Sequence, residues 1–119
     1  MQYDVIIVGG GPAGIFAALE LAGKAKVLLI EKGRAIDRRR CPMKEKQVQC
    51  VQCKPCSITC GWGGAGAFSD GKLTMSTEVG GHLDEYLDRE ELKKLVHEVD
   101  QIYFNFVAPE KRHSLSKES

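Results

Sequence analysis

Hydrophobic and polar positions in the first third of the chain predict a strand, a helix and a second strand. Residues 3–8 (YDVIIV) form a short run rich in β-branched residues that ends at glycine, which is typical of a buried strand. The segment IFAALELAG is apolar on nearly all sides and ends at Gly23, as expected of a helix packed on a sheet. Residues 26–31 (KVLLIE) predict the second strand. Together these elements predict a βαβ unit with parallel strands.

A regular hydrophobic pattern returns only near residue 88. Residues 32–60 follow neither a strand nor a helix period, so we expect loop or short irregular structure. Asp88, with Glu91 three residues later, predicts a capping box at the start of a helix that we expect to cover the sheet. Apolar side chains then recur on one helical face: Leu92, Leu95, Val96, Val99, Ile102, Tyr103 and Phe106.

Composition and charge exclude several classes of function. The formal net charge is +1, so the sequence lacks the basic footprint of a nucleic-acid-binding protein. The sequence also lacks an apolar run of about 18 residues, which a membrane span requires, and a basic leader of the secretory type. We therefore expect a cytoplasmic protein with small-molecule partners. The 13 glycines concentrate at residues 9–14, 61–71 and 80–81, which indicates close approach of the backbone to another group.

Residues 9–14 (GGGPAG) match the G-x-G-x-x-G pattern of dinucleotide-binding turns. The motif follows a predicted strand, opens a predicted helix and leads to Glu31 at the end of the second strand. Gly9 allows the tight turn, Gly11 lets the backbone approach a pyrophosphate, and Gly14 lets the helix pack close to the strand. The agreement of turn, helix and terminal acid predicts a dinucleotide site.

The start of the predicted helix supplies the groups that bind phosphate. Pro12 suits a first helical turn, and the helix N-terminus, which includes Ala13, offers N–H groups and a positive dipole end. Glu31 is expected to accept hydrogen bonds from a ribose hydroxyl, and its charge disfavours a 2′-phosphate. FAD and NAD both carry an adenosine ribose and a pyrophosphate, so the motif alone leaves the choice between them open.

Two stretches of the sequence resemble flavoproteins. YDVIIVGGGPAGIFAALEL, with LLIEKG, resembles the amino-terminal FAD-binding segment of flavin-dependent oxidoreductases. GWGGAGAFSDGKL is similar to a segment of a poorly characterised family of microbial FAD-dependent dehydrogenases, in which a cysteine-containing stretch precedes the same glycine-rich run. The resemblance implies transfer of a hydride or electrons between a donor and an acceptor, with a small-molecule substrate or electron carrier, such as NAD(P)H, as partner. It also implies that a carboxy-terminal portion of the flavoprotein is missing here.

The resemblance implies a set of cofactor-binding residues. A second, Gly/Ser-rich loop would lie along the pyrophosphate and the flavin ring, where Gly63 and Gly64 could bring N–H groups to the phosphates and Ser69 could add a hydroxyl. No catalytic residue is assigned. The candidate cofactor-binding residues are Gly9, Gly11, Pro12, Ala13, Gly14, Glu31, Lys32, Gly63, Gly64 and Ser69.

These observations predict an α/β fold with a Rossmann-like βαβ FAD/NAD(P)-binding domain that is incomplete and carries a covering C-terminal helix. The predicted domain spans residues 1–108 and includes a Cys/Gly-rich loop at residues 41–72. Residues 109–119 are polar and are expected to form a frayed tail.

Four of the five cysteines lie close together, at Cys50, Cys53, Cys56 and Cys60. Their C-x2-C-x2-C-x3-C spacing is that of bacterial ferredoxins, but no proline follows the last cysteine, so an iron–sulfur cluster is one candidate among several. Zinc usually takes two well-separated C-x2-C pairs, which are almost contiguous here. Reactive dithiols at Cys50/Cys53 or Cys53/Cys56 and simple packing remain as alternatives.

A run of three arginines, Arg38-Arg39-Arg40, precedes the cysteines. We expect a solvated charge run, with a phosphate or an acidic electron-transfer partner as the alternative. Trp62, between glycines, is expected either to cover a flavin or to anchor its loop.

Overall fold

The computed structural model describes residues 1–106, and the chain divides into two compact units, Met1–Gly71 and Lys72–Ser119. The predicted single domain over residues 1–108 and the tail at 109–119 extend beyond the described residues and stay predictions.

The first unit begins with the predicted βαβ arrangement. Strand β1 spans Val5–Val8, helix α1 spans Pro12–Leu21 and strand β2 spans Val27–Ile30. The strands pair in parallel, with Val5 opposite Val27 and Val8 opposite Ile30. This confirms the predicted parallel βαβ unit, because a helical crossover is what brings two consecutive strands into parallel pairing.

The two-stranded sheet is an incomplete version of an α/β sheet. Ile6 and Val8 alternate with residues on the α1 side of β1, and their side chains are 60% and 82% exposed. Parallel sheets are usually covered on both faces. The exposed apolar face therefore fits the prediction that the described domain is incomplete.

Short irregular elements follow β2, as the lack of periodicity predicts. A 3-10 helix spans Ile36–Arg38, helix α2 spans Pro42–Lys46, and a second 3-10 helix spans Ala65–Phe68. The segment between α2 and the second 3-10 helix contains the clustered cysteines and glycines without regular secondary structure beyond turns.

The second unit contains a 3-10 helix at Leu83–Glu85 and the long helix α3 at Arg89–Phe106. The predicted capping box is confirmed: the Glu91 N–H donates to Asp88 Oδ1 at 2.9 Å, and the Asp88 N–H donates to Glu91 Oε2 at 3.4 Å. The coverage of the sheet by α3 stays a prediction. Among the described helices, none combines the length and apolar character needed to cross a membrane.

Candidate dinucleotide-binding site

The glycine turn between β1 and α1 requires glycine at two positions, because any side chain there would strain or displace the backbone. Gly9 has φ +112°, a conformation that side-chain-bearing residues rarely adopt, and its N–H donates to Ile30 O at 2.7 Å. A Cβ on Gly14 would overlap the Gly9 carbonyl oxygen and lie 3.3 Å from Ile7 Cγ2. Helix α1 therefore packs directly on the turn, which is the role that the sequence predicts for Gly14.

Gly11 presents an open surface rather than a strained conformation. Its backbone is extended, with φ −81° and ψ −178°, and a Cβ there would meet only Gly64 Cα, at 3.9 Å. The first N–H bonded across the start of α1 is that of Ile15, which donates to Gly11 O at 3.0 Å. Within residues 1–106, no described hydrogen bond uses the N–H groups of Gly11, Ala13 or Gly14. An open surface with N–H donors is thus present where the motif predicts pyrophosphate.

Glu31, just after β2, joins three separate backbone segments. Its Oε2 accepts the Gly10 N–H at 2.7 Å, and its Oε1 accepts the Gly33 and Gly61 N–H groups at 2.8 and 3.1 Å. The Gly10 hydrogen bond, then those from Gly33 and Gly61 and the charge of Lys32, lower the pKa of this carboxyl, against an opposing effect of partial burial. Glu31 is therefore ionised at neutral pH and ties the glycine turn to the Cys/Gly-rich loop at residues 41–72, called the cysteine–glycine loop below.

The role predicted for Glu31 toward ribose stays a prediction. A carboxylate has about four lone-pair sites, of which three are used here, so one further hydrogen bond can be accepted. Lys32 is exposed beside it.

The second glycine loop (residues 61–71) lies against the glycine turn, and the N–H groups of Gly63 and Gly64 are already engaged. Gly63 N–H donates to Gly10 O at 2.8 Å, and Gly64 N–H donates to Gly61 O at 2.9 Å. A Cβ on Gly64 would lie 3.0 Å from Gly11 Cα. Backbone carbonyls therefore accept both N–H groups in this conformation, and donation to a phosphate would require these two hydrogen bonds to open. The contact of Gly63 and Gly64 with a cofactor stays a prediction.

Ser69 follows the second 3-10 helix and is exposed. Its hydroxyl oxygen accepts the Gly71 N–H at 3.1 Å, so the side chain stabilises the local turn. The hydroxyl retains its own hydrogen for donation, and the predicted contact with the cofactor stays a prediction.

Two glycines that the sequence analysis did not single out bring the loops together. A Cβ on Gly33 would overlap the Gly61 nitrogen and lie 2.5 Å from Gly61 Cα. Gly61 itself has φ +126°, and a Cβ there would lie 2.6 Å from Arg39 Cδ. The contact joins residues far apart in the sequence, so no local motif could have revealed it.

Arg39 corrects the expectation of a solvated arginine run. Its side chain is only 5% exposed, and its guanidinium donates hydrogen bonds to backbone carbonyls within residues 57–64. Arg38 and Arg40 on either side are exposed. The three arginines are equivalent in the sequence pattern, so the buried one was missed.

The four clustered cysteines are not gathered around one point in the described structure. All are free thiols, with Cys50 and Cys53 exposed and Cys56 and Cys60 half-buried. In the part of the chain that the structure describes, no three His, Cys, Asp or Glu side chains lie where they could hold one metal ion. The residues present therefore do not fit an iron–sulfur cluster in this conformation, despite the ferredoxin-like spacing.

Cys56 has the most distinctive environment of these thiols. Hydrogen bonds from the backbone N–H groups of Thr59 and Ile58, the Thr59 hydroxyl and the charge of Arg39 lower the pKa of its thiol, and burial opposes them. The turn itself is closed by the Cys60 N–H, which donates to Cys56 O at 2.8 Å. The thiolate form is thus more accessible at Cys56 than at an ordinary cysteine.

We expect the alkylation of Cys56 to depend on pH with a midpoint below about 8.5, the pKa of an ordinary cysteine. The thiolate is the reactive form, so a lower pKa moves the midpoint down. Rates with iodoacetamide, followed by mass spectrometry of the Cys56 peptide in the folded and urea-unfolded chain, measure this. The midpoint should rise on unfolding, and an unchanged midpoint would contradict the prediction.

Comparisons with known proteins identify the family. The model of the pyridine nucleotide-disulphide oxidoreductase family matches residues 3–108. The chain belongs to this family. A protein of Clostridium beijerinckii described as uncharacterized is 44% identical to the chain over 70 residues. The match covers 58% of this chain and 13% of that relative, so the chain spans a small part of its length. No solved structure gives a significant match.

As a member of the pyridine nucleotide-disulphide oxidoreductase family, the chain contains part of a nucleotide-binding region with a Rossmann-like fold. The matched region includes the βαβ unit, the glycine turn and the cysteine–glycine loop. The glycine turn, the open surface at Gly11 and Glu31 are therefore the candidate site for the family's dinucleotide.

Proposed function

We propose that this chain is the FAD-binding portion of a flavin-dependent oxidoreductase that moves a hydride or electrons between a small-molecule substrate or electron carrier and an acceptor. The observation that carries the proposal is the open backbone at Gly11. A Cβ there would meet nothing closer than 3.9 Å, and unbonded N–H groups at the start of α1 lie beside it. Such a surface suits a pyrophosphate, because N–H donors and the helix dipole both favour an anion.

FAD is proposed over the other dinucleotides for two reasons. The cysteine–glycine loop resembles that of FAD-dependent dehydrogenases. The negative charge of Glu31 at the ribose end opposes a 2′-phosphate, which disfavours NADP. The full chain is therefore expected to bind FAD more tightly than NADP.

The residues of this chain would bind and orient the cofactor. The N–H groups at the start of α1 would donate to the pyrophosphate, and Glu31 would accept from the ribose through its remaining lone pair. The flavin, when bound, supplies the redox chemistry. The protein's contribution from residues 1–71 is thus placement of the adenine half of the cofactor.

Titration of the full 119-residue chain with FAD, NAD and NADP tests the proposal. Quenching of Trp62, the single tryptophan, reports binding, because its ring lies against the glycine turn: a Cβ on Gly10 would be 3.0 Å from Trp62 Cε3. Saturable quenching by FAD supports the proposal. Tighter binding of NADP than of FAD would overturn the choice of cofactor, and failure of all three ligands would overturn the site.

Gly11→Ala should weaken FAD binding by about tenfold or more while leaving the fold intact. The extended backbone accepts a side chain, but the methyl group fills the space assigned to the pyrophosphate. Isothermal titration calorimetry with FAD, with circular dichroism as the check on folding, measures both effects.

Gly66→Ala is the matched control for this change. It also adds one methyl group to a glycine of ordinary backbone conformation, and the new Cβ would lie 3.9 Å from Pro12 Cγ, an ordinary contact. Affinity should stay close to that of the unmodified chain. Equal loss of FAD affinity in both variants would count against a specific role for Gly11.

A second candidate is a nucleotide-binding segment that does not turn over substrate by itself. The observation that favours it is the match to only 13% of the Clostridium beijerinckii relative. Reductase assays of the FAD-loaded chain with NAD(P)H and dye acceptors distinguish the two, because binding without turnover fits only the second candidate.

A further inference from the structure

The guanidinium of Arg39 is surrounded by backbone carbonyls from both halves of the cysteine–glycine loop. Nε donates to Ser57 O at 2.8 Å, and one terminal nitrogen donates to Ile58 O at 2.8 Å. The other terminal nitrogen donates to Trp62 O at 2.8 Å and Gly64 O at 2.7 Å. One side chain therefore joins the cysteine-containing turn to the glycine-rich segment.

The guanidinium of Arg39 is also held by a contact on its planar face. The Phe68 ring lies 4.7 Å from the guanidinium carbon, which is a cation–π contact. Arg39 is only 5% exposed, and backbone carbonyl dipoles, rather than a carboxylate, stabilise the positive charge of its guanidinium. The arrangement uses the forked, planar geometry of arginine, which lysine cannot reproduce.

The loop that Arg39 holds forms one side of the candidate site. Gly63 N–H donates to Gly10 O at 2.8 Å, next to the open surface at Gly11, and a Cβ on Gly64 would lie 3.0 Å from Gly11 Cα. Arg39 donates to the carbonyls of Trp62 and Gly64, on both sides of Gly63, and so fixes the position of this side of the site.

We propose that Arg39 is a positioning residue that fixes residues 57–64 as a preformed wall of the dinucleotide site and thereby sets the affinity for FAD. This rests on the proposed function for its ligand but adds a residue that lies outside the glycine motif. Preorganisation of a binding loop raises affinity, because the ordering cost is already met before the ligand arrives. Arg39 contributes through the loop and not through contact with the cofactor.

Arg39→Ala, Arg39→Lys and the control Arg38→Ala, all in the full chain, test the proposal. Arg38 is exposed and carries the same charge, so its loss matches the electrostatic effect on an anionic ligand without touching the loop. We expect Arg39→Ala to raise the FAD dissociation constant at least about tenfold, and Arg39→Lys to rescue only part of this loss. Arg38→Ala should change it by less than about twofold.

Two readouts separate positioning from general destabilisation. Without ligand, Trp62 emission should shift to the red and become more accessible to acrylamide in Arg39→Ala, while the far-ultraviolet circular dichroism remains that of the unmodified chain. Millimolar methylguanidinium should restore part of the FAD affinity of Arg39→Ala, since it can enter the space lined by the carbonyls, but should not restore that of Gly11→Ala.

The possible results separate the two proposals. Equal FAD affinities of Arg39→Ala and Arg38→Ala would overturn the positioning role while leaving FAD binding in place. Failure of the unmodified chain to bind FAD would overturn the proposed function. In that case the emission of Trp62 without ligand still decides whether Arg39 holds the loop, and Trp62 emission in Arg39→Ala equal to that in Arg38→Ala would overturn that role as well.

Discussion

Gly14→Ala is expected to abolish most FAD binding and to destabilise the first unit, because its Cβ would make the closest contact of any built on a described glycine. The new Cβ would overlap the Gly9 carbonyl oxygen and lie 3.1 Å from its carbon, so backbone rather than a flexible side chain must move. Forcing extra atoms into a tight contact typically costs about 1–3 kcal/mol. The shift would also move the turn that carries the N–H donors of α1, so stability and affinity should fall together.

Chemical unfolding followed by Trp62 fluorescence, together with FAD titration, measures both losses. Gly66→Ala again serves as the control, because its Cβ finds ordinary space. Gly11→Ala provides the contrast, since it should reduce affinity at nearly unchanged stability. A Gly14→Ala chain with the stability and FAD affinity of the unmodified chain would show that α1 does not pack on the turn as described.

The βαβ unit could be predicted from the sequence because its causes are local. The run of β-branched residues in β1, the proline at the start of α1 and the glycine turn each favour one local conformation. The capping box of Asp88 and Glu91 is equally local, since both partners lie within one helical turn. Agreement among such signals over a short stretch leaves few alternative structures.

The arrangement of the second loop could not be predicted, because it depends on contacts between distant residues. Nothing in the sequence distinguishes Arg39 from its neighbours. Its burial depends on backbone carbonyls as distant in sequence as that of Gly64, which accept hydrogen bonds from its guanidinium. The contact of Gly33 with Gly61 is likewise set by the fold. For the same reason the sequence did not reveal that the Gly10 carbonyl, brought close by the fold, accepts the Gly63 N–H.

The spacing of the cysteines does not determine how they are arranged in space. Cluster ligands must converge on one point, whereas Cys50 and Cys53 are exposed and Cys56 lies in a turn closed by its own carbonyl. Short spacing permits convergence but does not enforce it. What the loop does provide is one thiol whose pKa is lowered by backbone N–H groups and by Arg39, which gives Cys56 a chemical character that the spacing did not predict.

Glu31→Gln should weaken FAD binding by about tenfold or more and loosen the cysteine–glycine loop from the glycine turn. Both carboxylate oxygens accept backbone N–H groups, Oε2 from Gly10 and Oε1 from Gly33 and Gly61. A glutamine amide has only one oxygen, so in either orientation its NH₂ group faces at least one N–H donor. The loss of stability and of FAD affinity should therefore exceed the loss from removing the charge alone.

The pH dependence of this effect follows from the lowered pKa of Glu31. Its carboxyl has a lower pKa in the folded chain than in the unfolded one, so its stabilisation is complete above the unfolded value, about 4.3, and disappears as the pH falls through the folded value. The stability difference between the unmodified chain and Glu31→Gln should thus be largest near neutral pH and shrink below about pH 4. Glu20→Gln, which removes an exposed carboxylate paired with Lys24 at 3.1 Å, is the control and should cause little change. Urea unfolding at several pH values measures the difference, and a constant gap from neutral to acid would mean that the Glu31 charge does not hold the two loops together.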